Sequence, residues 1–249
     1  MLPNVQGNSG VISKIGVILP TYSEAQNIAN LIAEIEALPL RISILVIDDS
    51  SPDKTADEVK TLQKKYPNIL LLERPQKNGL GSAITDGFRT FLSLKNVPDF
   101  VVTMDADYSH NPKDIPLLVE TMSNECDLAI GSRYCKGGKT AGWPTARKII
   151  SRGANTVARF ILGLKLDDYT SGFRCYSTAF LKQAIVHLHS QTYDIQIETV
   201  KQAHMQGFRA KEVPILFVNR KRGKSKLSLW EIQNYVSYIF KTLVFRESD

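Results

Sequence analysis

The stretch Phe100-Val101-Val102-Thr103-Met104-Asp105-Ala106-Asp107 reveals the organisation of this 249-residue chain. Its first five residues, rich in Val and Phe, form a short apolar run that predicts a buried strand. Asp105 and Asp107 follow where the chain leaves the strand, which in open α/β sheets is the edge that binds ligands. Mg²⁺ and Mn²⁺ prefer oxygen ligands and often bind carboxylates together with substrate phosphates. The stretch therefore predicts a metal-assisted diphosphate site, with a solvated acidic turn or helix N-cap as the plain alternative.

Two earlier segments repeat this layout of an apolar run followed by a polar loop. Residues 14–19 and 42–47 are apolar, and each run ends in a loop that contains acidic side chains. Helical patterns accompany the strand candidates and cover residues 24–38, 54–66 and 80–94. Such alternation predicts an α/β fold with a mostly parallel, Rossmann-like sheet flanked by helices. Its carboxyl edge would gather five polar side chains along one crevice: Tyr22, Glu24, Asp49, Asp105 and Asp107.

The chain lacks the patterns G-x-G-x-x-G and G-x-x-x-x-G-K-[ST], which disfavours a dinucleotide oxidoreductase or a P-loop enzyme. Residues 78–81, Asn-Gly-Leu-Gly, are rich in glycine without that spacing. We interpret them as a tight turn into a helix, with a backbone amide that faces a ligand as the open alternative. Cys126, Cys135 and Cys175 are odd in number and show no disulfide spacing, which predicts reduced thiols in a cytosolic compartment. His110 follows the acidic pair and is a candidate to line the site.

Eight short blocks occur in a fixed order between residues 14 and 230. The first five are Pro20-Thr21-Tyr22-Ser23-Glu24, Asp48-Asp49-Ser50-Ser51-Pro52-Asp53, Asn78-Gly79-Leu80-Gly81, Asp105-Ala106-Asp107 and Gly131-Ser132-Arg133-Tyr134. They resemble the signature of inverting family-2 glycosyltransferases with the GT-A fold. The last three are Ser151-Arg152-Gly153-Ala154-Asn155, Thr170-Ser171-Gly172-Phe173-Arg174 and Arg220-Lys221-Arg222-Gly223-Lys224-Ser225-Lys226-Leu227. These resemble polyprenol-phosphate hexose synthases, and dolichol-phosphate mannose synthases most of all.

The resemblance implies an enzyme with a nucleotide sugar donor and a polyprenyl phosphate acceptor. Our leading interpretation is transfer of mannose from GDP-mannose to a polyprenyl (dolichyl) monophosphate, by a metal-dependent single displacement that inverts the anomeric centre. A UDP-glucose:polyprenyl-phosphate glucosyltransferase and a non-catalytic sugar-nucleotide-binding regulator remain as alternatives. A nucleotidyltransferase is disfavoured because residues 20–24 do not form a glycine-rich phosphate loop.

The resemblance also implies roles for individual residues of the matching blocks. Asp105 and Asp107 would hold Mg²⁺ or Mn²⁺, and the backbone of Ala106 would lie near the ribose. Ser109 stands where several bacterial relatives have a metal-binding Gln, and its hydroxyl is a poorer ligand. Contacts to the nucleoside are expected from Pro20, Tyr22, Glu24, Ile47 and Asp49.

The remaining expected contacts come from cationic side chains. Arg133 would lie near the diphosphate and the acceptor, and Arg147 is a second candidate for the acceptor phosphate. Arg220 and Lys226 would contact the diphosphate from a flexible loop. The expected catalytic residues are thus Asp107, Arg133, Arg220 and Lys226. We assign no general base, because a lipid monophosphate is already largely ionised near neutral pH.

The net charge of +6 calls for an anionic partner. Five of the positive charges fall within residues 220–226. We expect no nucleic-acid partner, because the chain contains no RNA- or DNA-binding motif. We interpret the basic segment as a clamp on phosphates, with contact to anionic lipid or a solvated turn as the alternatives.

The sequence also bears on membrane contact. No run approaches the ~18–20 apolar residues that span a bilayer. Residues 229–245 are rich in aromatic side chains and interrupted by charges, which predicts an amphipathic helix in a membrane interface or packed on a protein surface. Tyr134, Trp143 and a helix over residues 145–164 are further candidates for membrane contact.

Together these patterns predict three segments: a disordered tail (1–12), a GT-A catalytic domain (13–227) and a C-terminal amphipathic helix (228–249). A chain of 249 residues fits one large domain with a full core. We expect a cytoplasmic protein that is peripheral on the cytoplasmic face of a membrane. A small membrane-anchoring subunit remains open as a further partner.

Overall fold

A computed structural model describes residues 5–122 and 126–219. Strands and helices alternate through most of this length. In chain order the elements are β1 (Val5–Gln6), β2 (Ile15–Thr21), α1 (Ala25–Glu36), β3 (Ile42–Asp48), α2 (Thr55–Gln63), β4 (Ile69–Glu73), α3 (Leu80–Ser93), β5 (Phe100–Thr103), α4 (Ile115–Met122), β6 (Leu128–Ser132), β7 (Lys139–Ala141), α5 (Thr145–Leu162), β8 (Arg174–Ser177), α6 (Thr178–Ala184), α7 (Ile195–Met205), β9 (Ala210–Pro214) and β10 (Leu216–Val218).

The described residues form an eight-stranded sheet in the order β1-β4-β3-β2-β5-β8-β6-β9. Strands β4, β3, β2 and β5 are parallel, whereas β8 runs antiparallel to both of its neighbours. Helices α1, α2 and α4 cover one face, and α3, α5, α6 and α7 cover the other. Both faces of the central strands are therefore buried, which explains their continuous apolar sequences. The predicted mostly parallel sheet flanked by helices is confirmed.

Helix α1 shows how the local sequence produces this layering. Its buried side chains, Ile28, Leu31, Ile32 and Ile35, recur at intervals of three and four residues. This spacing places them on one face of the helix, against the sheet. The opposite face, which includes Glu34, is left for the surface. The loop before α1 is thereby fixed at the carboxyl edge of β2.

The edge of the sheet contains two strands that the sequence analysis does not predict. Strand β4 was not predicted, because its run of Ile and three Leu has no alternation and little β-branching. Pairing with β3 makes it a strand. The predicted disordered tail over residues 1–12 fails at Val5–Gln6, which pairs antiparallel with Leu71 and Leu72 of β4. The unpaired backbone groups of an edge strand favour such an addition.

Residues 78–81 form the predicted tight turn into α3. Gly79 has a φ of +93°, a conformation that favours glycine. The amide of Gly81 donates to the carbonyl of Gln191 at 2.9 Å. A Cβ on Gly81 would lie 2.5 Å from the Ser190 carbonyl oxygen. The Gly81 amide is therefore used within the fold and does not face a ligand, and this glycine permits close packing of two loops.

A second, two-stranded sheet pairs β7 with β10 in parallel. It brings the end of the described chain to the acidic turn, because the amide of Val218 donates to the carbonyl of Ser109 at 3.1 Å. Asn219 is anchored as well, with its amide nitrogen donating to Ala141 at 2.8 Å. Arg220 and Lys226 follow this point and lie outside the described residues, as does the predicted C-terminal helix.

Candidate active site

Register places three polar loops at one edge of the sheet. Strand β2 pairs with β3 on one side and with β5 on the other, all in parallel. Thr21 lies opposite Asp48, and Ile18 lies opposite Thr103. The loops that follow the three strands therefore leave the same edge, side by side. They carry the sequence-predicted residues Tyr22, Glu24, Asp49, Asp105 and Asp107, while Pro20 lies near the end of β2 itself.

The acidic turn after β5 is held by its own hydrogen bonds. The backbone amide of Ser109 donates to Asp107 Oδ1 at 3.0 Å, which fixes a carboxylate that is 6% exposed. The backbone amide of Asp105 donates to His110 Nδ1 at 3.2 Å. The Asp105 side chain is 36% exposed and so can reach a ligand. Ala106 is buried between them. The turn thus holds two carboxylates in place at the edge of the sheet.

His110 supports the turn from beneath as a neutral side chain. Burial lowers the pKa of His110 to about 4, with the Arg133 charge acting in the same direction. Its Nδ1 is an acceptor in the bond from Asp105, as a neutral imidazole requires. The ring stacks on Phe173 and meets Phe217 edge-on, at centroid distances of 5.1 and 5.2 Å. His110 is therefore a buried, neutral side chain that supports the acidic turn, and it is not a cation on the surface of the site.

Tyr108 connects the acidic turn to α1, and its side chain helps to line a cavity. Its φ of +62° is unusual for a bulky residue and is of the kind found at functional sites. Its hydroxyl donates to Glu34 at 3.1 Å, and burial together with this contact raises the pKa of Tyr108 to about 12. The cavity measures about 780 Å³, and Asp107 and Asn219 contribute to its lining. The acidic turn therefore opens onto a space large enough for a ligand.

Asp49 is bound by an arginine that sequence reasoning missed. Arg74, directly after β4, donates its Nε to Asp49 Oδ1 at 2.5 Å and its Nη2 to Oδ2 at 2.7 Å. Arg74 also reaches the Gly79 carbonyl at 3.1 Å. Both side chains of the pair are almost fully buried. The available signal was a charged residue at the end of an apolar run, the same layout that identified the other loops.

The other residues predicted to contact the nucleoside lie at the same edge. Pro20 and Ile47 face each other across β2 and β3. The Lys77 ammonium lies 4.6 Å from the centroid of the Tyr22 ring. Glu24 is 8% exposed and accepts a hydrogen bond from the Asn27 amide at 2.8 Å. The loops after β2 and β3 thus present apolar, aromatic and carboxylate groups together.

Arg133 lies at this edge with its charge paired to Asp168. Its Nε and Nη2 donate to the two carboxylate oxygens of Asp168, each at 2.7 Å. Burial alone would raise the pKa of Asp168, but the Arg133 charge and hydrogen bonds outweigh it and hold the pKa below its usual value. Arg133 Cζ also lies 5.3–5.6 Å from the ring centroids of Tyr134, Trp143 and Phe217. The guanidinium is therefore fixed in one orientation beside the acidic turn.

Asp168 was also missed from the sequence. Its Oδ1 accepts the backbone amides of Thr170 and Ser171 at 3.1 and 3.0 Å, so it organises the whole 168–171 loop. The signal was an Asp two residues before a Thr-Ser pair, a pattern typical of side-chain-capped turns. Arg174, at the end of this loop, is fully buried and donates to backbone carbonyls, including those of Tyr169 and Gln196.

Arg147 and Trp143 contact each other next to Arg133. The Arg147 guanidinium lies 4.1 Å from the Trp143 ring centroid, and its Nη1 donates to Asn219 at 3.1 Å. Trp143 is 7% exposed, so the predicted membrane contact of this residue is wrong: its ring packs on Phe217 and two guanidinium groups. Tyr134 is half-buried and donates to Ser151.

The acidic pair fits a divalent metal ion by its chemistry. Asp105 and Asp107 supply oxygen donors only, which suits Mg²⁺ or Mn²⁺. Among the described residues no cluster of three or more His, Cys, Asp or Glu side chains could hold a metal. A bound ion would therefore complete its coordination with ligand phosphates or water. Ser109 Oγ is buried and has no hydrogen-bond partner within the described chain.

Comparison with known proteins identifies the family. A family model described as glycosyl transferase family 2 matches residues 16–186. An undecaprenyl-phosphate mannosyltransferase from Micrococcus luteus is 38% identical over 216 residues, which cover 86% of this chain and 88% of the relative. A dolichol-phosphate mannosyltransferase from Pyrococcus furiosus is 39% identical over 236 residues; these cover 92% of this chain and 64% of the relative.

Solved structures agree on the fold. A mannosyltransferase from Pyrobaculum calidifontis, in complex with GDP-Man and Mn²⁺, superimposes with a TM-score of 0.63 at 16% identity. The match covers 99% of this chain and 68% of that one. The predicted GT-A fold is confirmed, since such neighbours are GT-A glycosyltransferases.

We predict that the Asp168 carboxylate stabilises the fold in a pH-dependent way. Asp168→Asn should lower the free energy of unfolding at pH 7 by about 3–5 kcal/mol, because it leaves the Arg133 charge buried without a counter-charge. The folded pKa of Asp168 lies below its unfolded value of 3.8. The contribution of the Asp168 carboxylate to the free energy of unfolding is therefore complete above the unfolded pKa, and it is lost as the pH falls through the folded pKa. Urea titrations at several pH values would measure both effects.

The neighbouring residue provides the control. Asp167 forms an ion pair with Arg159 in which both side chains are about half exposed. Asp167→Asn should therefore cost less than about 1 kcal/mol and leave the acid dependence of unfolding unchanged. Equal losses for the two variants at pH 7 would contradict the role of the Arg133–Asp168 pair.

Proposed function

The chain belongs to glycosyl transferase family 2 and is a glycosyltransferase, and on that premise we propose that it transfers mannose from GDP-mannose to a polyprenyl (dolichyl) monophosphate. The observation that carries the proposal is the pair Asp105 and Asp107 at the carboxyl edge of β5, beside the loops after β2 and β3. The names of the two mannosyltransferases that are 38–39% identical support the acceptor and the sugar.

The donor would lie along the edge of the sheet. Its nucleoside would contact the loops after β2 and β3, with Tyr22, Glu24 and Asp49 as the polar contacts. Asp105 and Asp107 would hold Mg²⁺ or Mn²⁺, which would supply positive charge to the departing diphosphate. Asn219 lines the same cavity as Asp107. Arg220 and Lys226, which come after Asn219 in the sequence, would add charge-assisted hydrogen bonds to that diphosphate.

The acceptor phosphate brings its own nucleophile. An oxygen of the lipid monophosphate attacks the anomeric carbon, the bond from that carbon to the diphosphate oxygen breaks, and the electron pair leaves with GDP. The displacement inverts the anomeric centre and requires no general base, since the monophosphate is largely dianionic at neutral pH. The protein must chiefly align the reacting groups. Arg147 is exposed enough to steer the acceptor phosphate, while Arg133, paired with Asp168, would act by fixing the neighbouring loops.

Helix α5 supports binding to a membrane surface. Only Asn155, Ala158 and Ile161 are buried in its 18 residues. Its exposed apolar side chains share one side of the helix and are Ile149 (67%), Ile150 (58%), Val157 (48%) and Phe160 (87%). The helix contains four Arg or Lys residues and no acidic residue. An apolar stripe flanked by cations suits an anionic lipid surface better than an ordinary protein partner.

We propose that the protein binds peripherally at the cytoplasmic face of a membrane through α5. In the described part of the chain no helix is long and apolar enough to cross a bilayer. All three cysteines are free thiols, in keeping with a reducing compartment. The phosphate group of the acceptor would then reach the active site while its polyprenyl chain stays in the membrane. A small membrane-anchoring subunit is the alternative means of attachment.

A transfer assay tests the proposed reaction. Purified protein is incubated with radiolabelled GDP-mannose or UDP-glucose, and with polyprenyl phosphate or the dephosphorylated polyprenol, before the lipid phase is counted. We expect labelled lipid only from GDP-mannose and polyprenyl phosphate, only with Mg²⁺ or Mn²⁺, and none in EDTA. Asp107→Asn should reduce the rate more than about a hundredfold. Replacing a residue that only supports a metal ligand typically costs about ten- to a hundredfold, and loss of a ligand itself should cost more.

Each arm of this assay can fail separately. Full turnover in EDTA would contradict the metal assignment. Comparable rates with the phosphate and the alcohol would show that a general base exists and that the mechanism is wrong. Labelling from UDP-glucose alone would replace the proposed donor.

Vesicle sedimentation tests the docking of α5. Phe160→Ser should weaken binding to vesicles of phosphatidylcholine and phosphatidylserine about ten- to a hundredfold, because an aromatic side chain buried in lipid contributes about 1.5–3 kcal/mol. The controls Val186→Ser and Met205→Ser remove apolar groups that are 67% and 60% exposed elsewhere on the surface. Equal loss in all three variants would contradict docking through α5. If the wild-type protein does not bind vesicles, attachment through an anchoring subunit becomes the better explanation.

A further inference from the structure

A second cavity lies beside helix α5 and is separate from the cavity at the acidic turn. It measures about 260 Å³ and is lined by Tyr134, Arg152, Asn155, Thr156, Arg159 and Asp167. None of these six residues lines the cavity at the acidic turn. The proposed transfer reaction assigns no ligand to this second cavity, so its own side chains are the guide to what it binds.

Arg152 brings an unpaired positive charge to the cavity. Its side chain is exposed, and it forms no ion pair with another residue of the described chain. Its Cζ lies 5.8 Å from the ring centroid of Tyr134, whose hydroxyl donates to Ser151 Oγ at 2.7 Å. A guanidinium carries five N–H donors in a planar fork. The Arg152 fork is therefore placed beside a fixed ring with its donors available to a ligand.

Arg159 adds a second guanidinium to the lining. Its Nη1 donates to Asp167 Oδ1 at 2.8 Å, and the two side chains are 54% and 43% exposed. An ion pair this exposed contributes little to stability, and the guanidinium keeps further donors. Asn155 shapes the cavity without offering donors, since its Nδ2 donates to the Ser151 carbonyl and to Thr170 Oγ1. Two guanidinium groups and one carboxylate leave the lining with an excess of one positive charge.

The cavity borders the apolar stripe of α5. Arg152, Thr156 and Arg159 follow one another at intervals of four and three residues, so they share one side of the helix. Ile149 precedes Arg152 by three residues and Phe160 follows Thr156 by four, which places both exposed apolar side chains next to that side. When the stripe lies in the boundary of the acyl chains, the cavity is at the level of the lipid headgroups.

The side chains of the cavity select the chemistry of a headgroup. Arginine binds phosphate oxygens through parallel N–H groups, so Arg152 and Arg159 suit a phosphate. A carboxylate repels an anion but accepts a hydrogen bond from a hydroxyl, so Asp167 suits an alcohol beside that phosphate. An ammonium group would meet two guanidinium charges. The combination fits a phosphate that carries a polyol, and it disfavours choline, ethanolamine and serine headgroups.

We propose that this cavity binds an anionic phospholipid with a polyol headgroup, such as phosphatidylglycerol, with the phosphate on Arg152 and Arg159 and a hydroxyl on Asp167. The inference rests on the proposed docking of α5 on a membrane and adds a lipid preference to it. Arg152 then serves attachment to the membrane and not the transfer of the sugar.

Sedimentation of the full chain with vesicles tests this preference. Phosphatidylcholine vesicles contain the same fraction of phosphatidylglycerol or of phosphatidylserine, which each carry one net negative charge, so attraction to the surface charge is matched. We expect wild type to bind the phosphatidylglycerol vesicles about tenfold more tightly, the effect of a charge-assisted hydrogen bond. Arg152→Lys keeps the charge but loses the planar fork, so the two affinities should become equal.

Lys148→Gln is the matched control for charge. Lys148 is exposed on α5 four residues before Arg152, and it does not line the cavity. Removing its charge should weaken binding to both kinds of vesicle by the same factor, about fivefold. The ratio of the two affinities should therefore stay as in wild type.

The result is given by that ratio. A wild-type ratio of one would overturn the proposal, as would a ratio that persists in Arg152→Lys or falls equally in Lys148→Gln. If the ratio is one but glycerol 3-phosphate raises the thermal unfolding midpoint of wild type and not of Arg152→Lys, the cavity binds a soluble phosphate instead. If Arg152→Lys weakens binding only to vesicles that contain polyprenyl phosphate, the cavity holds the acceptor and the proposal fails.

Failure of the headgroup site can be told from failure of the docking. Weaker binding of Phe160→Ser together with a wild-type ratio of one would uphold docking through α5 and refute the headgroup site. Wild type that binds neither kind of vesicle would overturn both. The transfer assay measures the proposed reaction independently of either result.

Discussion

The register between β2 and its two parallel neighbours is the constraint on which the site depends. Side chains alternate between the two faces of a strand, so a shift of one residue would exchange the side chains that pack against the two helical layers. Here Ile15 lies opposite both Ile42 and Phe100, and the three strands keep their apolar side chains inside both helical layers. The hydrophobic core thereby decides where the strands end. The carboxylates that follow them are brought together as a consequence of burial elsewhere.

Buried arginines then fix the loops that the sheet edge presents. Arg74 binds the carboxylate of Asp49, and Arg133 binds that of Asp168. Arg174 instead holds the 169–171 segment by donating to backbone carbonyls. Desolvated charges contribute little net stability, but removing one partner leaves the other unpaired, so each pair strongly favours one loop conformation. The result is a preorganised edge in which few side chains need to move when a ligand binds.

The parts of the fold that sequence predicts are those governed by local patterns. Strands β2, β3 and β5 are apolar runs with polar ends, and α1 repeats its apolar residues at helical spacing. Strand β4 and the pairing of Val5–Gln6 could not be found this way, because partner strands rather than their own residues make them strands. Asp105 and Asp107 were visible since the chain presents them in one short stretch.

Ion pairs between residues that are distant in sequence could not be predicted from the sequence. Arg74 and Asp49 are 25 positions apart, and Arg133 and Asp168 are 35 apart, so only the folded chain pairs them. The role of Trp143 was misjudged for a related reason: an aromatic residue before a basic helix suggests lipid contact, whereas the structure buries it on Phe217.

The central claim is that this edge of the sheet is a metal-dependent sugar-nucleotide site. Its most direct test is a crystal structure of the protein with GDP-mannose and Mn²⁺, in which anomalous scattering locates the metal. The account predicts an anomalous peak in contact with the carboxylates of Asp105 and Asp107, with the nucleoside at the loops after β2 and β3. Manganese bound away from both carboxylates, with the nucleotide elsewhere on the surface, would contradict it.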